Sequence, residues 1–206
     1  LNHLGISRAP SKSTVSYQNA RRDSSVFREI FYMLLRHFGQ QAEWRRGRFR
    51  FKMPVKLLDS TLITLTLSIY DWAHYTSKKG AVKMHTLLDY DSLLPEFVNI
   101  TDGKASDNKA SFDMNMQPFS VVVADRGYCD YALLNHWDSN HVFFVVRHKD
   151  NIRYIGIKER PLPEKRAQDV LIDEVVEPEL PAARAKYPKR LRRIAVWNEE
   201  HQYVVE

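Results

Sequence analysis

The sequence holds one cysteine, Cys129, in 206 residues. A lone thiol cannot close an intramolecular disulfide, which excludes a disulfide-stapled scaffold and makes a reducing cytosol the simplest expected compartment. Long apolar runs are also missing. The longest, residues 121–124 and 142–146, fall far short of the roughly 18 residues a membrane helix needs, so no membrane partner is expected. The chain has neither an initiator Met nor a basic start followed by an apolar stretch. No secretory signal is read there, and a fragment is expected. The eight histidines show no zinc-type spacing with a cysteine, and Cys129 lacks the His-Asn partner pattern of a thiol nucleophile. What is present is ordinary: 44% hydrophobic, 27% charged and 12% aromatic residues. That composition supports a packed core and excludes a disordered tail or a collagen-like fibre. Neither internal repeats nor low-complexity stretches occur.

The net charge of +6 is unevenly placed. Residues 1–56 carry 12 Lys/Arg against 3 Asp/Glu, a balance of +9, and the remainder is left at −3. A positive field at one end suits a polyanion, because each cation that neutralises a phosphate releases counterions. A solvated surface is the plainer alternative, and for an isolated charge run the commoner one.

Residues 11–22 have N-cap candidates in Ser11 and Ser13 and no internal Gly or Pro, which predicts a short helix. Lys12, Arg21 and Arg22 would offer donors to DNA from it. From Ser24 to about Trp44, Phe27, Ile30, Phe31, Leu34, Leu35 and Phe38 recur at helical spacing, a stripe expected to form core or an interdomain contact. Arg45, Arg46, Arg48, Arg50 and Lys52 then interleave with Phe49 and Phe51. A connector crossing a phosphate backbone and a strand with one wet face fit this run equally well.

Beyond residue 54 the period becomes strand-like. Residues 55–59 lead into Ile63, Leu65, Leu67 and Ile69, which alternate with Thr64, Thr66 and Ser68, a half-buried strand. Residues 81–88 and 95–100 read as two more strands, the second closed by Asp102-Gly103. Residues 120–124 form a continuous apolar run expected in a central parallel strand. A short helix over 131–137 and another buried strand over 142–146 follow. Three strands and then alternating helix and strand indicate an α/β fold with a mixed sheet. From residue 151 charged strand-like segments (152–157, 170–176 and 194–205), broken by prolines, predict an exposed antiparallel layer.

Asp59 and Asp125 each follow an apolar strand-like run, which would place both at C-terminal strand ends, where α/β sheets open into ligand crevices. A single such Asp is more often a turn former or helix cap. Two that converge would repel unless a cation neutralises them, and hard oxygen ligands suit Mg²⁺ or Mn²⁺. A metal site of this kind activates water or a 3′-hydroxyl for phosphodiester chemistry. Lys78, Lys79, Lys83 and His85 could reach a phosphate, although a solvated hairpin rim is the commoner fate. Asp102 and Asp107 read as shaping a Gly-containing turn.

The motifs Leu57-Leu-Asp59-Ser-Thr61, Gly80-Ala-Val-Lys-Met-His-Thr-Leu-Leu-Asp89, Asn99-Ile-Thr-Asp-Gly-Lys104 with Asp107, Ala124-Asp-Arg-Gly-Tyr128 and Phe143-Phe-Val-Val-Arg147 occur in that order. Together they closely resemble the DDE transposases of bacterial insertion sequences, in the branch whose third acid lies in a Tyr-Arg-Glu-Lys signature. The resemblance covers residues 1–150 well and the tail more loosely, and Asp125-Arg-Gly-Tyr128 is its most specific part. It implies a ribonuclease-H-like catalytic core that holds two Mg²⁺ or Mn²⁺ ions through three acids, then nicks and joins DNA. Asp59 would be the first acid and metal ligand and Asp125 the second, with Arg126 and Tyr128 placing DNA or the catalytic loop, although a packed Tyr128 is an equally good account. The implied partners are double-stranded DNA, as transposon ends and target, and a second copy of the chain in a synaptic complex within the bacterial cytosol.

The implied organisation is a basic helical segment over 1–50, the N-terminal part of the catalytic core over 51–150, and the start of a β-rich insertion over 151–206. The third acid's signature is absent from the 206 residues. With two acids of three, metal affinity and geometry should fail, and the chain alone is not expected to transpose. A non-catalytic DNA-binding remnant and another nuclease on the same fold are the alternative readings.

Overall fold

The structure is a computed structural model, and it describes residues 9–41, 49–65, 74–76, 79–162 and 169–206. Two compact units result, Leu1–Glu43 and Trp44–Glu206. In the first, α1 (Lys12–Arg21) is capped as expected, with the Thr14 backbone N–H donating to Ser11 Oγ at 3.1 Å. Helix α2 (Ser25–Gln41) begins where the Ser25 N–H donates to Asp23 Oδ1. Its apolar stripe has the expected helical period, and Phe27, Ile30, Leu34 and Phe38 are exposed, so within this unit they form no core.

The second unit is built on a mixed sheet. Its strands are β1 (Val55–Leu65), β2 (His74–Thr76), β3 (Lys79–Asp89), β4 (Pro95–Asp102), β5 (Val121–Ala124) and β6 (Phe143–Val146). The order is β2-β3-β1-β5-β6, with β4 also paired to β3. Strands β1, β3 and β4 run antiparallel as hairpin neighbours, whereas β5 and β6 continue from β1 in parallel. Parallel strands need a crossover connection, supplied by α3 (Asp107–Phe112) before β5 and α4 (Tyr131–Ser139) before β6. This is a ribonuclease-H-like mixed sheet with flanking helices, as expected. Gly103 closes the turn after β4, and a Cβ there would lie 2.8 Å from the Ala81 carbonyl. Only glycine permits so close an approach.

Several local expectations need correction. Strand β1 runs unbroken past Asp59, so that acid is not at a strand end. Strand β6 is an edge strand whose Phe143 and Val145 are exposed rather than buried on both faces. The segment after Gly103, expected to be only a turn, forms helix α3. The expected strand positions 66–69 lie outside the described residues. The tail forms a second, antiparallel sheet of β7 (Tyr154–Glu159), β8 (Val170–Pro178), β9 (Leu191–Asn198) and β10 (Tyr203–Val205). One of its prolines, Pro181, opens helix α5 (Pro181–Lys186), where a missing N–H costs nothing. Among the described residues no helix is long and apolar enough to cross a membrane.

The core joins Leu58 and Leu87 to Met114, Val122, Tyr128, Leu133, Trp137 and Tyr187. At its margin the Lys56 ammonium donates to Asp89 Oδ2 at 2.8 Å and to Glu96 Oε1 at 2.6 Å. Lys56 and Asp89 are directly opposed across β1 and β3, so this buried pair pins the sheet register. Burial alone would lower the Lys56 ammonium, but its bonds to Asp89 and Glu96 hold it above the ordinary lysine value. Lys56→Met is expected to destabilise the protein by about 2–3 kcal/mol in chemical denaturation. That is below the cost of breaking a fully enclosed pair because Glu96 opens to solvent. Lys56→Met combined with Asp89→Leu should recover most of the loss.

Candidate active site

Asp59 stands on β1, one residue beyond the Leu58–Ala124 pair that aligns β1 with β5. Asp125 is the next residue after Ala124 and keeps an extended backbone (φ −75°, ψ 177°). Asp125 thus directly follows the last paired residue of β5, as Asp59 directly follows that residue's partner on β1. Alternation along β1 turns Leu58 into the core and Asp59 out, and both acids are exposed. The chain then turns sharply: Asp125 Oδ1 accepts the Gly127 N–H at 2.9 Å, and residues Arg126–Tyr128 form one turn of 3-10 helix. Tyr128 drives its ring into the core and is 1% exposed. Burial pushes its hydroxyl well above the ordinary tyrosine value; nearby Ser60 opposes the shift, and the charges of Asp107, Asp59 and Asp125 add to it. Among the described residues the hydroxyl has no partner in strict hydrogen-bond geometry.

A third carboxylate lies near the turn. Asp107 opens α3, with Oδ1 3.2 Å from the Lys83 ammonium and 3.7 Å from His85 Nδ1. The Lys83 ammonium also donates to the Ala105 carbonyl at 2.9 Å. Lys83 is therefore engaged within the protein, and not a freely solvated hairpin side chain. His85 is fully buried, and its Nε2 lies 2.9 Å from Thr101 Oγ1. In the sequence Lys83 and His85 stand out only as possible phosphate contacts and Asp107 only as a turn residue, not as the one Asp107–Lys83–His85 group. Its signal was the two-residue spacing of Lys83 and His85, which puts a cation and an imidazole on one face of β3.

The remaining candidates disperse. Lys12, Arg21 and Arg22 are exposed on or beside α1, with the Arg21 guanidinium 4.1 Å from the Tyr17 ring centre. Arg45 and Arg46 lie outside the described residues. Arg126 is exposed and forms a 3.8 Å ion pair with Asp150. Burial pushes the Cys129 thiol above its ordinary value, away from a reactive thiolate.

Asp59 and Asp125 are exposed carboxylates, hard oxygen ligands of the type that Mg²⁺ takes one or two of while keeping several waters. Among the described residues no group of three His, Cys, Asp or Glu side chains could hold a metal ion.

Comparison with known proteins is consistent with this geometry. A family model described as a transposase DDE domain matches residues 50–203. A provisionally named transposase of Sinorhizobium fredii, y4zB, is 28% identical over 189 residues, covering 91% of this chain and 51% of that protein. The provisionally named transposase for insertion sequence element IS5377 of Geobacillus stearothermophilus is 29% identical over 68% of this chain and 36% of its own length. The counterpart for element IS4SA of Synechocystis is 27% identical over 68% and 40%. The chain thus spans about half the length, or less, of the relatives it matches.

Buried His85 has a testable consequence. Burial lowers its imidazole below the ordinary value of 6.5, Asp107 works against the shift, and Lys83 adds to it. A depressed histidine favours the neutral form in the folded state, so its contribution is intact above pH 6.5 and is lost as pH falls below. Between pH 7.5 and 5.5 the unfolding free energy should fall more steeply for the wild type than for His85→Gln. The difference in slope is at most about 1.4 kcal/mol per pH unit for one proton. Parallel curves would contradict it.

Proposed function

Because the chain belongs to the transposase DDE domain family, we propose that Asp59 and Asp125 are two of the acids with which an insertion-sequence transposase cleaves and joins DNA. The observation that supports this reading is the parallel register of β1 and β5, in which Asp59 and Asp125 each directly follow the last pair, Leu58 with Ala124. A bound Mg²⁺ or Mn²⁺ would supply Lewis-acid activation of the attacking and leaving oxygens. The protein's part is to hold the hard ligands. Asp59 is fixed within an eleven-residue strand, and Asp125 is fixed by the Gly127 N–H. Their exposure leaves the outward side of the pair open to a phosphodiester backbone.

Double-stranded DNA is the substrate in this reading, and the basic N-terminal segment is its electrostatic anchor. Lys12, Arg21 and Arg22 lie exposed at α1 without a carboxylate partner among the described residues. Arg126, beside the second acid, is placed to meet the strand being cut. Joining two transposon ends calls for a paired, synaptic assembly of two copies in the bacterial cytosol. A third acid completes the site only when supplied from outside the described residues, and the chain alone is expected to be silent in transposition.

Two measurements test the reading. Expressed from the native reading frame with a donor plasmid, Asp59→Ala and Asp125→Ala should each lower excision more than about a hundredfold, beyond what loss of an outer-shell partner costs. Retention of end DNA in a gel shift should be unchanged. Excision that survives either substitution contradicts the assignment. For the anchor, a plot of log affinity against log salt for duplex DNA should lose about 0.9 of slope for each of Lys12, Arg21 and Arg22 changed to Ala. An unchanged slope removes α1 from the DNA interface.

A further inference from the structure

We propose that Asp107, held by Lys83, is the positioning residue of this site: its carboxylate backs the Asp125–Gly127 turn and sets the Asp125 carboxylate beside Asp59. The inference rests on Asp59 and Asp125 being the catalytic pair. Its basis is the space around Gly127. A Cβ on that residue would lie 3.0 Å from Asp125 Oδ1 and 3.2 Å from Asp107 Oδ2. Both carboxylates therefore crowd the space beside Gly127, and a side chain there would have to push one of them aside. Gly127 does not occupy the left-handed region, so its value is steric rather than conformational.

Asp107 can act as a wall because it is itself fixed. Its Oδ1 faces Lys83 and His85 on β3, and Oδ2 faces the turn. The same Lys83 ammonium holds the Ala105 carbonyl two residues earlier, and Ser111 Oγ donates to the Asp107 carbonyl at 2.9 Å. Strand β3 is paired to β1 along its length, so the position of Asp107 is referred back to the strand that carries Asp59. A closed path results: Asp59 on β1, Lys83 on β3, Asp107 on α3, and Gly127 with Asp125 after β5. The Lys83 charge also offsets that of Asp107, so a third carboxylate near the pair adds rigidity without an uncompensated repulsion.

The test uses the whole chain and two readouts. The first is the Gly127 amide resonance, which reports its bond to Asp125 Oδ1 whether or not metal is present. It should move in Asp107→Ala, Asp107→Asn and Lys83→Met, and stay near its wild-type position in Lys83→Arg, which restores the cation. The second is paramagnetic broadening of the same resonance by added Mn²⁺. Asp107→Ala should require about tenfold more Mn²⁺ for equal broadening, the effect expected of an outer-shell partner. Asp59→Ala and Asp125→Ala should abolish broadening. If Asp107→Ala does not fold, Asp107→Asn keeps the shape and carries the test. An unmoved Gly127 resonance and unchanged Mn²⁺ response in the Asp107 variants, with broadening lost in Asp59→Ala and Asp125→Ala, overturns the positioning role alone. Broadening that persists in Asp59→Ala and Asp125→Ala overturns the catalytic pair on which it rests; where two acids hold Mn²⁺ too weakly to broaden the wild-type resonance, the Gly127 shifts of the Asp107 and Lys83 variants alone decide the positioning role.

Discussion

The parallel pairing of β1 with β5 is the constraint on which the site depends. Four residue pairs, ending at Leu58 and Ala124, fix where the next residue of each strand must stand. Those next residues are Asp59 and Asp125. Because side chains alternate along a strand, a slip of one residue would turn Asp59 into the core and an apolar neighbour into the site. The register is specified from both sides of β1. Val122 and Leu58 are essentially fully buried, and Lys56 is bonded across to Asp89 on β3. An ionic clamp at one strand end and an apolar core beneath it hold the acids in step.

The site's polarity is graded. Outward, Asp59 and Asp125 face solvent with open coordination positions. Inward, Tyr128 plugs the core directly beneath the turn, and among the described residues its hydroxyl has no partner in strict hydrogen-bond geometry. To one side lie Asp107, Lys83 and buried His85, polar groups that are costly to bury unless they hold one another. Under the proposed function, two carboxylates held in place for a polyanion would account for these features together, in keeping with the family whose model matches residues 50–203.

Much of the fold was legible because its signals were local. The Val121–Ala124 run announced a central strand, Ser11 announced a helix start, and the switch from helical to alternating period after residue 54 marked the sheet. Asp59 and Asp125 were legible as candidates from the apolar runs before them and again from the family pattern, although two acids 66 residues apart carry no mark of adjacency by themselves. The exposure of α2 and of Phe143 and Val145 was not legible, because periodicity reports which residues share a face and not whether anything covers it. Asp107 was read as a turn residue for a similar reason. Its role comes from Lys83 on β3 and Gly127 beyond β5, contacts that arise only once the sheet is assembled.

The central claim is that β1 and β5 present Asp59 and Asp125 as one cation-binding pair. A crystal of the protein grown with Mn²⁺ tests this most directly, through anomalous scattering. The account predicts an anomalous peak in direct coordination contact with carboxylate oxygens of both residues. A map with Mn²⁺ bound elsewhere and neither acid in contact, or with the two carboxylates on opposite faces of the sheet, would contradict it.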